Sequence, residues 1–205
     1  MDFSDKQLDI LKAAGELFGK KGFDGTSVRD IAKEADVNVA MINYYFRSKE
    51  GLMDDLFTYY IEQFKIDENT LVTNQSAIAM MDSLIKNYIG IMNSNIAVYQ
   101  MLAIEGGMKK RLLASNSYKD LKEHNLQVVT AIVEKGEESG EFIKGHHPLL
   151  IHSTIMGTFM NFQMNRAYIK TKLNISSDKE YNQYMGTVLV KHVQTTIKAL
   201  LTYEN

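Results

Sequence analysis

Cysteine is absent from this 205-residue chain, and proline occurs once, at Pro148. Without cysteine there are no disulfides and no thiolate metal sites, which suits a reducing compartment. The start, MDFSDKQLD, has neither the basic opening nor the apolar run of a secretory signal. No apolar stretch approaches the ~20 residues needed to span a bilayer. A cytoplasmic protein with no membrane partner is the expectation.

Positive charge is not in surplus either. The formal net charge is −2, and in residues 1–52 eight lysines and arginines face nine carboxylates. Electrostatics alone therefore gives no sign of nucleic acid, and a motif must carry any such reading. Phosphate loops, dinucleotide glycine fingerprints and local nucleophile signatures are also lacking, so neither an enzyme nor a cofactor is expected. The five histidines are His124, His146, His147, His152 and His192. His147 and His152 are five apart, His146 and His152 six, so neither pair has the (i, i+4) spacing of a helical metal site. No metal is expected.

The shortage of proline is itself informative. Beside abundant Leu, Lys, Glu, Met and Ile it favours helices throughout. With 45% apolar and 23% charged residues the chain can build a sizeable core. Ser4 with Gln7 reads as a capping box, and Leu8, Leu11, Ala14, Leu17 and Phe18 follow at helical spacing until Gly22. Phe23 should fold back on that face. Thr26 or Ser27 can cap a short second helix with Val28, Ile31, Ala32 and Ala35 inside. Asn38 caps a third helix to about Phe46, and Ser48 a fourth toward residue 68. Further helices are expected near 76–93, 96–106, 117–139, 148–172 and 180–203. The fold class is all-α, with about nine helices. A tri-helical helix-turn-helix head (residues 1–50) leads into a helical body (residues 51–205).

The stretch TSVRDIAKEADVNVAMINYYFRSKEGL, residues 26–52, resembles the signature of tetracycline-repressor (TetR) regulators. The shared features are Thr26, Ile31–Ala32, Ala35, Val37, Tyr44–Tyr45–Phe46, and Ser48–Lys49–Glu50 with Leu52. Ala13–Ala14, Leu17–Phe18 and Lys21–Gly22–Phe23 resemble the family's first helix. Lys135–Gly136 with Gly140–Glu141–Phe142 resembles the turn that often precedes its last two helices. Departures occur at Asp36, which replaces the usual turn glycine, at Asn43, where many members have tyrosine, and at Gly51, where glutamate is commoner. Aspartate tolerates left-handed backbone better than most residues, so the turn should survive.

With the third helix in the major groove, its N-terminal amides would meet phosphate. Asn38, Asn43, Tyr44 and Tyr45 would meet backbone or base edges. Asn43 is the best base reader, because its amide can pair bidentately with adenine. Val39, Ala40 and Met41 could touch thymine methyls, while Ile42 packs inward. The resemblance implies phosphate contacts at Lys49 and, at the second helix's start, at Thr26 and Ser27.

For the body the resemblance implies a pocket for a small, often apolar effector. The candidates are Tyr88, Met92, Tyr99, Met101, Glu105, Phe159 and Phe162, although a methionine and aromatic stripe is ordinarily core. Glu105 either anchors a polar ligand group or ends a solvated helix beside Gly106. The long apolar faces of the last two helices could be buried inside one subunit. The resemblance implies instead that they pair with their twins in a homodimer, with Leu150, Ile155, Met185, Val188, Leu189, His192 and Ile197 at the interface. The expected function is a regulator, and specifically a repressor, released from palindromic operator DNA by its effector. The rival is a helical ligand-binding or adaptor protein whose head no longer binds DNA.

Overall fold

Ser4 opens the first helix with a reciprocal cap. Its hydroxyl accepts from the Gln7 amide, and its own amide donates to the Gln7 side chain. Side chains also cap the starts of five later helices, at Ser27, Asn38, Ser48, His147 and Ser177. The computed structural model describes residues 3–71, 74–103 and 116–203. In chain order the helices are α1 (Asp5–Lys21), α2 (Val28–Glu34), α3 (Val39–Phe46), α4 (Lys49–Gln63), α5 (Ala77–Ser94), α6 (Ile96–Ala103), α7 (Asn116–Ser139), α8 (Pro148–Met164), α9 (Arg166–Lys172), α10 (Asp178–Tyr184) and α11 (Val190–Thr202). A five-residue π-turn, Met185–Leu189, joins α10 to α11, and among the described residues there is no strand. The all-α class holds.

The nine expected helices become eleven among the described residues, through two interruptions. One expected helix over 148–172 breaks at Asn165, whose side chain donates to the Asn161 carbonyl at 3.0 Å. Such back-bonding competes with the helical ladder. The other expected helix is divided by the π-turn.

The chain packs as two compact units, Met1–Phe64 with Asn95–Leu121, and Lys65–Ser94 with Lys122–Asn205. In the first, α1 buries Ile10, Leu11, Ala14, Leu17 and Phe18. Ile31 and Ala32 of α2, Ile42 and Phe46 of α3, and Leu52, Leu56 and Ile61 of α4 are buried in the same unit. Phe23 folds back as expected, its ring centroid 5.3 Å from that of Phe18. Each fully buried aliphatic or Phe side chain contributes about 1.5–3 kcal/mol. Helix α6, expected in the body, packs here instead and sets Val98 against Gly15.

The second unit explains why Gly136, Glu141 and Phe142 occur together. Glu141 takes the N-terminal amides of α5, accepting from Ala77 at 3.0 Å and Ile78 at 3.2 Å. Those hydrogen bonds hold its carboxyl below the usual carboxylate range. Phe142 lies on Gly136 so closely that a Cβ there would sit 2.0 Å from its ring. Only glycine leaves room for that ring.

Candidate nucleic-acid interface

Helix α2 is capped by Ser27, with Asp30 as the reciprocal partner. The Ser27 hydroxyl donates to Asp30 at 2.6 Å, and the Asp30 amide donates to Ser27 at 3.1 Å. Bonded to that hydroxyl and to the Ser27 amide, the Asp30 carboxyl is held below its ordinary value. The turn passes through Asp36 at φ +50°, so aspartate does take the left-handed backbone usually left to glycine. Asn38 then caps α3 by accepting from the Ala40 amide at 2.9 Å.

Ile42 and Phe46 face inward and are buried. Ala40, Asn43 and Tyr44 are exposed, at i, i+3 and i+4, and so form one outward stripe, with Asn38 exposed at its start. Tyr44 is 82% exposed, and its ring meets the Tyr45 ring edge-on at 5.2 Å. Val39, Met41 and Tyr45 are half-buried along its flanks.

Two expected phosphate contacts have other work. Thr26 is buried, and its hydroxyl donates to the Gly22 carbonyl at 2.9 Å and the Leu17 carbonyl at 3.3 Å. The Lys49 ammonium donates to the Phe23 and Thr26 carbonyls, each at 3.0 Å, and lies 4.2 Å from the Phe23 ring centroid. Together they tie the α1–α2 loop to the start of α4. Ser27 stays exposed at the α2 terminus.

The α3–α4 junction is tighter than the sequence suggests. Arg47 has φ 66° and ψ −45°, and the Ser48 amide donates to the Phe46 carbonyl at 2.7 Å. This is the rare γ-turn of positive φ. Conformations of this kind cost about 1–3 kcal/mol and persist only where their surroundings enforce them. The turn drives the Phe46 carbonyl against α4, where a Cβ on Gly51 would lie 2.2 Å from the oxygen. Glycine at position 51 is therefore a consequence of the junction.

The second unit also holds interior polar groups. Asn125 and His152 are buried. The Asn125 amide donates to the Tyr88 hydroxyl at 3.0 Å and its carbonyl accepts from the Ile66 amide at 2.8 Å. Tyr88 Oη lies 3.4 Å from His152 Nε2. Burial, aided by the Lys122 charge, pushes the His152 imidazole down to about 4. Met92 and Phe159 are fully buried in the same unit and Phe162 half-buried. Tyr99 and Met101 belong to the first unit, where the Tyr99 ring meets Phe64 at 5.5 Å. Glu105 lies outside the described residues.

Two family models match the chain. Residues 10–56 match bacterial regulatory proteins of the tetR family, and residues 78–191 match the tetracyclin repressor-like C-terminal domain. The chain belongs to the TetR family. It is a DNA-binding transcriptional regulator. The probable HTH-type transcriptional regulator YttP of Bacillus subtilis (strain 168) is 30% identical over 182 residues, covering 84% of each chain. The fatty acid metabolism regulator protein of the same strain is 25% identical over 159 residues, 75% of this chain and 79% of that one. In fold, the chain is similar to the crystal structure of the regulator FadR from Bacillus subtilis in complex with stearoyl-CoA. The TM-score is 0.66 at 22% identity, covering 94% of this chain and 97% of that one.

Within this TetR-family body the expected dimer residues separate into two groups. Ile155, Met185, Leu189 and Ile197 fill the subunit's own core, none more than 1% exposed. As part of that core they offer no surface to a partner, which is the burial inside one subunit that the sequence also allows. Leu150 at 65% and Val188 at 50% remain exposed, as does His192. Among the described residues no helix is long and apolar enough to cross a membrane.

Proposed function

We propose that this regulator is a cytoplasmic repressor that binds a palindromic operator as a homodimer and leaves it when a small molecule occupies the body. One observation carries the reading. Helix α3 turns Asn38, Ala40, Asn43 and Tyr44 outward while its own core needs are met by Ile42 and Phe46. A polar and aromatic stripe on a capped helix has the residue types that read major-groove edges. One such helix covers only a few base pairs, so useful specificity needs two, about 34–36 Å apart. For the pairing we favour the exposed residues Leu150, Val188, His192 and Leu200 on α8, the π-turn and α11.

For the effector, the second unit offers an apolar surround of Met92 and Phe159 with the Tyr88–Asn125–His152 group as polar anchor. The relative named for fatty acid metabolism and the stearoyl-CoA-bound neighbour make a long-chain acyl thioester the first probe. The chain passes between the two units at 64/65, 94/95 and 121/122. The effector state therefore has three covalent routes to the head, not α4 alone.

Mobility shift with DNA from around the protein's own coding region tests the operator reading, and no shift at low salt overturns it. Calorimetry with and without that DNA tests induction. Typical coupling of about 1–3 kcal/mol must appear as the difference between the two titrations. Equal effector affinity with and without operator would make that molecule a passenger.

A further inference from the structure

We propose that Arg47 is a DNA phosphate contact, presented at the edge of α3 by the strained turn that carries it. The inference rests on the reading that the head binds DNA. The backbone at Arg47 adopts φ 66°, closed by the 2.7 Å bond from the Ser48 amide to the Phe46 carbonyl. Glycine would take that conformation without a Cβ penalty, and asparagine more readily than arginine. The fold gives arginine no compensation. Its side chain is exposed and makes no ion pair or hydrogen bond among the described residues. The neighbourhood has nevertheless adapted to the turn, since Gly51 leaves space for the displaced Phe46 carbonyl. A costly conformation, an accommodating glycine and an unused guanidinium together point to a task outside the subunit.

Position and charge define that task. Arg47 lies four residues beyond Asn43 and three beyond Tyr44, just past the last turn of α3. It therefore stands at the end of the outward stripe, where a helix lying in the major groove leaves the bases and meets the groove wall. Phosphates line that wall, and the planar guanidinium fork matches a phosphate bidentately. The other cation at this junction is already committed, since Lys49 donates to two carbonyls inside the unit. In a head without surplus positive charge, a single placed cation accounts for a measurable part of the affinity.

The test uses the full-length protein, a random-sequence duplex and a duplex from around its own coding region, each titrated across a salt series. Arg47→Gly and Arg47→Gln should each weaken binding several-fold on both duplexes. Each should lower the slope of log affinity against log salt by about 0.9, one phosphate's worth. Arg47→Lys should keep the slope. Arg47→Gly should also melt at a higher temperature than the parent, because the strain is relieved while DNA binding suffers. An unchanged slope in both Arg47→Gly and Arg47→Gln overturns the proposal. A loss confined to the cognate duplex at unchanged slope makes Arg47 a base reader and overturns it too. If the parent protein itself shows no salt-dependent binding to either duplex, the DNA reading fails first and this inference falls with it.

Discussion

The first unit exposes the polar and charged side chains of Asn38, Asn43, Tyr44 and Arg47, while Thr26 and Lys49 satisfy backbone carbonyls. The second unit keeps Tyr88, Asn125 and His152 within its interior, bonded to one another and to the Ile66 amide. An outward polar stripe suits a flat, wet macromolecular partner that supplies its own hydrogen-bonding edges. An inward polar group in an apolar surround suits a small partner that must be desolvated. The same chemistry on opposite sides of a surface thus separates a reading head from a sensing body. Each half of that contrast can be broken by substitution.

The largest effect is expected from the subunit pairing that brings two heads onto one site. Leu150→Glu with Val188→Glu changes two exposed positions and leaves the core residues alone. It should yield folded monomers, with operator affinity lower by on the order of a thousandfold as specificity collapses toward non-specific binding. Sedimentation reports the state and circular dichroism the fold. A double variant that remains a dimer would place the interface elsewhere. The same charge at Leu189 would be uninformative, because that side chain is 1% exposed within its own subunit.

Next comes the interior polar group, which should make the body sensitive to acid. His152 is held down at about 4 against an ordinary 6.5. The unfolded chain thus binds a proton that the native state refuses. Stability from this group is unaffected above about pH 6.5 and falls as pH drops from there toward 4. Between pH 7 and pH 4.5 the loss is roughly 2–3 kcal/mol. In His152→Gln that share should vanish, so the gap between parent and variant in urea unfolding must move by this amount. A gap constant across pH would show that His152 titrates normally.

Much of this contrast was legible beforehand, and the failures have physical causes. Caps at Ser4, Asn38 and Ser48 are local signals and stand where the sequence places them, and of the two candidates Thr26 and Ser27 it is Ser27 that caps α2. So does the inward choice of Ile42. Periodicity marks an apolar stripe but not what covers it: it leaves Ile155, Met185, Leu189 and Ile197 open to core or interface, the resemblance points to a partner, and they fill the subunit core. Asn125 was missed altogether. Its signal was one polar residue in the apolar register Leu121, Val128, Val129 and Ile132 of α7. The γ-turn at Arg47 had no signature beyond the unusual glycine at 51.

A base reader on the outward stripe should act at one position of the operator only. Asn43→Ala is expected to cost about 1–3 kcal/mol at a single base pair and little on random DNA. A panel of singly substituted operator duplexes would reveal it as one flattened preference. Equal losses on operator and random duplex would remove Asn43 from that role.

The smallest effect tests the division of labour between two neighbouring cations. Family resemblance puts Lys49 on a phosphate, yet its ammonium already donates to the Phe23 and Thr26 carbonyls and lies over the Phe23 ring. Two of its three N–H donors are thus engaged inside the unit, so a phosphate would compete with bonds already made. Lys49→Met keeps most of the aliphatic stem and removes the charge. A hydrogen bond of this kind, half open to water, contributes about 1 kcal/mol net, and the variant should lose roughly that in urea unfolding. Its salt slope on random DNA should match the parent's, in contrast to Arg47→Gln, which should lower it by about one phosphate. A Lys49→Met protein of parental stability but reduced slope would reverse the two roles. Lys49 would then hold the phosphate, and the carbonyl contacts would be its resting place in the free head.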